Sequence, residues 1–123
     1  MRTDRWCMQP KSEMFLRDVC NASRLIEQFI QGKSLADYES DPLLRAGVER
    51  QFIIIGEALI QASKLDPEVV KPVTGLRQII GFRHVLVHAY AVIEDYIVWE
   101  TATVELPTLI SEVQALLATV PPP

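Results

Sequence analysis

Both histidines of the chain, His84 and His88, stand in one short stretch with Arg77 and Arg83. An imidazole can take up and return a proton near neutral pH, and a guanidinium offers a planar fork of donors to a phosphate or a carboxylate. This stretch is therefore where proton transfer beside an anion could be carried out. His84 and His88 are four residues apart and could share a metal ion, but a zinc site needs further ligands and neither Cys7 nor Cys20 is close in sequence. The expectation is no metal and no cofactor. No glycine-rich phosphate loop and no serine nucleophile motif occurs, which argues against NTP hydrolysis and hydride transfer.

Helical spacing sorts these residues into two rows. Leu76, Ile79, Ile80, Leu86 and Val87 make an apolar row, and Arg83 lies in its middle. A guanidinium stays charged, so Arg83 needs a carboxylate such as Glu57 or Asp95, a phosphate, or a path to water. The adjoining row is Arg77, Gly81, His84 and His88, which reads either as an anion patch or as cationic groups complementing a helix end. Arg83 and His88 are about 140° apart around an unbroken helix. They converge on one phosphate only if the helix ends or unwinds before His88, and Ala89 with the turn toward Glu94 is expected to bring that about. Tyr90 falls in this turn, where its phenol can reach solvent or simply pack its ring and bond its hydroxyl. Glu57 or Glu49 could orient Arg83, Arg77 could extend a phosphate track, and His84 is either a second contact or an exposed residue.

The elements that must position these groups read as helices. With 123 residues, 49% hydrophobic and 23% charged, the chain suits one globular domain. No apolar run approaches the roughly 18 residues that span a bilayer, and Met1-Arg2-Thr3-Asp4-Arg5 is too polar for a secretory signal. Two cysteines make neither a disulfide scaffold nor a paired redox motif, so a cytoplasmic location is expected. A net charge of -4 excludes a surface that is basic throughout, so any nucleic acid must meet a local patch.

Residues 1–11 read as a flexible arm, 12–118 as the helical bundle and 119–123 as a proline-rich tail. Ser12 is expected to cap a helix with Phe15, Val19, Ala22, Ile26 and Phe29 on one stripe, closed by Gly32. Residues 34–40 form a connector with at most a turn of helix. Asp41-Pro42 starts the longest helix, to about Lys64, whose centre Phe52-Ile53-Ile54-Ile55-Gly56 is apolar nearly all round. Gly56 inside it implies a close neighbour. Asp66-Pro67 and Lys71-Pro72 punctuate the next connector, and Thr74 is expected to cap a helix to Val87 or His88. The last helical region, from Glu94, places Tyr96, Trp99, Leu106, Leu109, Ile110, Val113, Leu116 and Leu117 inward, and Pro107 must kink or split it. The fold class is all-α, an antiparallel bundle of four to five helices. Its apolar surplus, including Trp99, Phe52 and the isoleucine run, points to a dimer.

Arg83, four residues, His88, one residue, then Tyr90 resembles the arginine-x4-histidine-x-tyrosine motif of the HepT-like branch of the HEPN superfamily. The likeness extends to Ile54-Ile55-Gly56-Glu57-Ala58, to the whole run Arg83 to His88, and to Val98-Trp99-Glu100 followed by Leu106-Pro107, covering about residues 12–118. It implies a dimeric HEPN-like bundle acting as a metal-independent endoribonuclease toxin of a type II/VII-like toxin–antitoxin pair. Arg83 and His88 would carry the ribonuclease motif in a groove between two protomers, so that two copies face one RNA strand. The partner would be a nucleotidyltransferase antitoxin of the MntA type, which silences the toxin by adding AMP to the tyrosine that Tyr90 matches.

The chemistry of the residues fits that role, because RNA supplies its own nucleophile, the ribose 2′-hydroxyl. A rival reading is a non-catalytic helical module presenting substrate within a split nucleotidyltransferase. A third is a bundle whose role is dimerisation alone, with Arg83 as a structural ion pair.

Overall fold

The computed structural model describes residues 8–88 and 93–121. Among these residues there are helices and connectors and no strand. In chain order they are α1 (Pro10–Ile30), α2 (Leu35–Ser40), α3 (Pro42–Leu65), α4 (Pro67–Val70), α5 (Leu76–Val87), α6 (Asp95–Glu100), a π-helical turn (Thr101–Glu105) and α7 (Leu106–Leu117). The all-α reading holds.

The first helix starts at Pro10, two residues before the expected cap, because proline is favoured in a first turn where its missing N–H has no partner to lose. Ser12 therefore lies inside α1. Its hydroxyl is buried and donates to Asp66 Oδ2 at 2.5 Å, while the Gln9 backbone N–H reaches the same carboxylate oxygen at 2.9 Å. These bonds tie the start of α1 to the end of α3, and Phe29 packs near Gly47 at the other end, so the two helices run antiparallel. The buried stripe of α1 contains the expected Val19, Ala22 and Ile26, but Leu16, Cys20 and Ser23 complete it, leaving Phe15 and Phe29 half-buried.

Ser34 and Asp37 form a reciprocal capping box on α2, whose one buried residue, Tyr38, leans on Trp99 with ring centres 5.6 Å apart. Asp41 caps α3 as expected, its Oδ1 accepting from the Leu44 N–H at 3.1 Å. The third helix is the central one: it packs against α1, α2, α4 and α5, and buries Phe52, Ile55, Gly56, Ala58 and Leu59 along its middle.

Thr74 does not cap α5. Gly75 takes that position with φ +72°, a left-handed conformation open to glycine, and Thr74 turns away to α7. There its N–H and hydroxyl both donate to the Glu112 carboxylate, at 3.0 and 2.6 Å. Earlier in the same last helical region, Pro107 follows a wide turn that splits it. The Leu106 N–H bonds to the Thr101 carbonyl five residues back, and Pro107 falls in the first turn of α7, where an absent N–H is tolerated. Tyr96 is 54% exposed rather than inward; Val98 and Ala102 fill the buried positions of that segment.

Candidate active site

Arg83 projects from α5 onto α3 because Gly56 leaves room for it: a Cβ on Gly56 would collide with Cβ and Cγ of the arginine. That close approach explains the glycine in the middle of the longest helix. Across the gap, Arg83 Nη2 donates to Glu57 Oε2 at 2.5 Å, with Arg83 24% and Glu57 47% exposed. Arg83 Nε is buried without a partner. Of the acids considered for this arginine, Glu57 is the one that meets it. Asp95 instead lies 4.0 Å from Arg45 Nε. Glu49 joins the same distant cluster, where burial, reinforced by Asp95 and opposed by Arg45, raises its carboxyl above the ordinary glutamate range. It does not orient Arg83.

The arginine lines a surface groove of about 330 Å³ with Glu57, Ile54 and Arg50 of α3 and Phe15 and Asp18 of α1. Arg50 was not singled out by the sequence reading, although its position seven residues before Glu57 puts the two on one face of α3. Arg77 is not part of this groove and is exposed near the start of α5.

His88 caps the end of α5, where its own backbone leaves the helical region with φ -93° and ψ 61°. Its N–H still bonds to the His84 carbonyl at 3.1 Å, and its ring stands beside the His84 ring with centres 4.3 Å apart. Both imidazoles are exposed. α5 does end before His88, as expected, but the last helical hydrogen bond still holds the His88 N–H, so its side chain leaves from a helical position. Five helical steps keep the two about 140° apart, the arginine turned to α3 and the histidine on the outer face. The convergence expected within one chain is not met, because the α-helical hydrogen bond at His88 is retained. Tyr90 lies outside the described residues.

Among the described residues no group of three or more histidine, cysteine, aspartate or glutamate side chains is placed to hold a metal ion. No helix described is long and apolar enough to cross a membrane. Cys20 is buried, and burial pushes its thiol above the usual range.

The fold is that of an all-α, HEPN-like bundle, with both histidines at the end of α5 and Arg83 of the same helix facing Arg50 and Glu57 of α3 across the groove. Residues 19–116 match the ribonuclease HepT-like family. A protein of Caldanaerobacter subterraneus subsp. tengcongensis named as an RNase is 30% identical over 103 residues, covering 84% of this chain and 91% of its own length. One of Thermococcus cleftensis named as a ribonuclease HepT is 30% identical over 105 residues, covering 83% and 92%. One of Methanocaldococcus jannaschii named as an RNase is 26% identical over 110 residues, covering 88% and 90%. No solved structure matches the chain. The chain belongs to the ribonuclease HepT-like family, and its enzyme class is ribonuclease.

Proposed function

We propose that the chain is a metal-independent endoribonuclease toxin in which His88 moves the proton and Arg83 holds the non-bridging oxygens of the scissile phosphate. The observation that supports this is the family match, which covers residues 19–116 and so includes both Arg83 and His88. The ribose 2′-oxygen attacks the adjacent phosphorus as its proton passes to the imidazole, and the 5′-oxygen leaves with a proton. The products end in a 2′,3′-cyclic phosphate and a 5′-hydroxyl.

His88 is exposed at a helix end and Arg83 is only partly committed to Glu57, which supports these roles. One chain turns them in different directions, so the reading requires two copies meeting over one RNA strand. Support for a dimer comes from α5, where Ile79 alone is buried while Leu76, Ile80, Phe82 and Leu86 stay half-open and Val87 is 41% exposed. Arg50, beside Arg83 in the groove, is a better candidate than Arg77 for a second phosphate contact.

The partner in this reading is a nucleotidyltransferase antitoxin of the MntA type. The Tyr90 phenol would attack the α-phosphorus of ATP, releasing diphosphate and leaving AMP on the tyrosine. The added negative charge and bulk would repel the RNA backbone.

The test is cleavage of RNA by the purified chain with EDTA present. Cyclic-phosphate products are expected, and His88→Ala should lose about 10²–10⁴-fold in rate while keeping the wild-type melting temperature. A magnesium requirement that survives stripping and re-addition would count against the mechanism. With the antitoxin and ATP, AMP should appear by mass spectrometry on wild type and not on Tyr90→Phe. The Arg83–Glu57 pair is the observation that favours the rival, a non-catalytic module of a split nucleotidyltransferase. That rival takes over if wild type and His88→Ala are equally harmless to growing cells.

A further inference from the structure

We propose that His84 and His88 form a chelating site for a divalent ion of the copper, nickel or zinc class, and that filling it switches off RNA cleavage. The site stands on geometry, while its effect on cleavage rests on the reading of His88 as the proton-transfer group. The two imidazoles are one turn apart at the end of α5, both exposed, with ring centres 4.3 Å apart and planes inclined at 54°. The backbone is helical from His84 to Val87 and its last bond, His88 N–H to the His84 carbonyl at 3.1 Å, fixes where the second imidazole starts, although His88 itself is the cap residue at which the helix ends. A metal at roughly 2.0–2.1 Å from each of two nitrogens needs those nitrogens about 3 Å apart. Adjacent rings reach that separation by side-chain rotation alone.

The position adds to the chemistry. A helix C-terminus presents carbonyls without intrahelical donors and favours a cation. Imidazole suits the later first-row ions, whereas Mg²⁺ and Ca²⁺ prefer oxygen ligands. No third protein ligand stands with the pair among the described residues, so water completes the coordination shell and the ion exchanges freely. Once the His88 nitrogen donates its lone pair to a metal, it can no longer accept the 2′-hydroxyl proton.

The experiment titrates the full chain with CuCl₂, NiCl₂, ZnCl₂ and MgCl₂ in metal-free buffer, following the imidazole proton resonances and the heat of binding. One ion per chain is expected, with both histidines perturbed, copper tightest and magnesium inert. His84→Asn and His88→Asn should each weaken binding by about tenfold or more. In the cleavage assay, ZnCl₂ should inhibit wild type reversibly, with EDTA restoring the rate. His84→Asn, compared with its own metal-free rate, should resist inhibition. Metal binding unchanged in His84→Asn, or one ion shared by two chains, overturns the site. Full cleavage at saturating zinc overturns the switch. A chain that binds zinc at both histidines yet cleaves no RNA upholds the site and refutes the catalytic reading instead.

Discussion

Arg83 occupies the space that a side chain at Gly56 would need, so the two positions are coupled through packing as well as charge. Gly56→Ala gains helix propensity, about 1 kcal/mol, but forces the arginine or α5 to shift, an overpacking penalty of about 1–3 kcal/mol. The net expectation is a lower melting temperature and a displaced Arg83, checked by thermal unfolding. Glu57→Gln should behave differently. The ion pair is nearly half open to solvent on the acid side, so its loss costs at most about 1 kcal/mol. A weaker affinity for RNA with little change in stability would separate an orienting role from a structural one.

A third residue with a measurable consequence is Glu49, whose carboxyl is raised by burial among Tyr38, Asp95 and Arg45. A raised acid binds its proton more readily folded than unfolded, so its stabilising contribution is complete below the unfolded value and is lost as pH rises through the folded one. At neutral pH the buried charge is a liability. Glu49→Gln should therefore raise the melting temperature at pH 7, with the gain shrinking toward pH 4, as read by melts across that range.

Among the helices, α5 is joined to α7 at its start through Thr74 and Glu112, in place of a side-chain cap of its own. Glu112→Ala leaves the Thr74 N–H and hydroxyl without their acceptor. Water can replace the acceptor at this exposed site, so a loss of about 0.5–1.5 kcal/mol follows, seen as a lower urea midpoint with an unchanged slope. Pro107 illustrates the opposite case. A mid-helix proline costs about 3 kcal/mol, yet here the wide turn before α7 already absorbs the missing donor. Pro107→Ala should shift stability by less than about 1 kcal/mol, and a gain near 3 would show that the turn carries strain.

Taken as a whole, the described chain shares one apolar core to which every helix contributes, including Tyr38 of α2 and Val70 of α4, but α5 touches it mainly through α3. Leu76, Ile80, Phe82 and Leu86 pack against that core while staying partly open, and Val87 is exposed, so the proposed dimer has an apolar face on α5 to test. Light scattering after size exclusion should give twice the chain mass, and Val87→Glu, which sets a charge among these residues, should return it to the mass of one chain. A single-copy mass for the wild type would overturn the proposed RNA site shared between two protomers.

Periodicity and local chemistry carried the reading a long way. Helix identity, the Asp41 cap, the near-complete extent of α3 and α5, and the interruption at Pro107 are all local properties, set by residues within a turn or two of one another. The segment from Arg83 to His88 was equally legible, because histidine and arginine in an apolar row stand out at any distance from their partners. The choice of Glu57 over Glu49 and Asp95 was not legible, nor was the exchange of Thr74 from cap to α7 contact. Each is a contact between residues dozens of positions apart, decided by how helices cross. The surroundings of Arg83 and His88 belong there too: spacing left open how α5 ends, and only the packed chain, by keeping the His88 N–H on the His84 carbonyl, setting the two imidazoles side by side and turning Arg83 to Glu57, decided it.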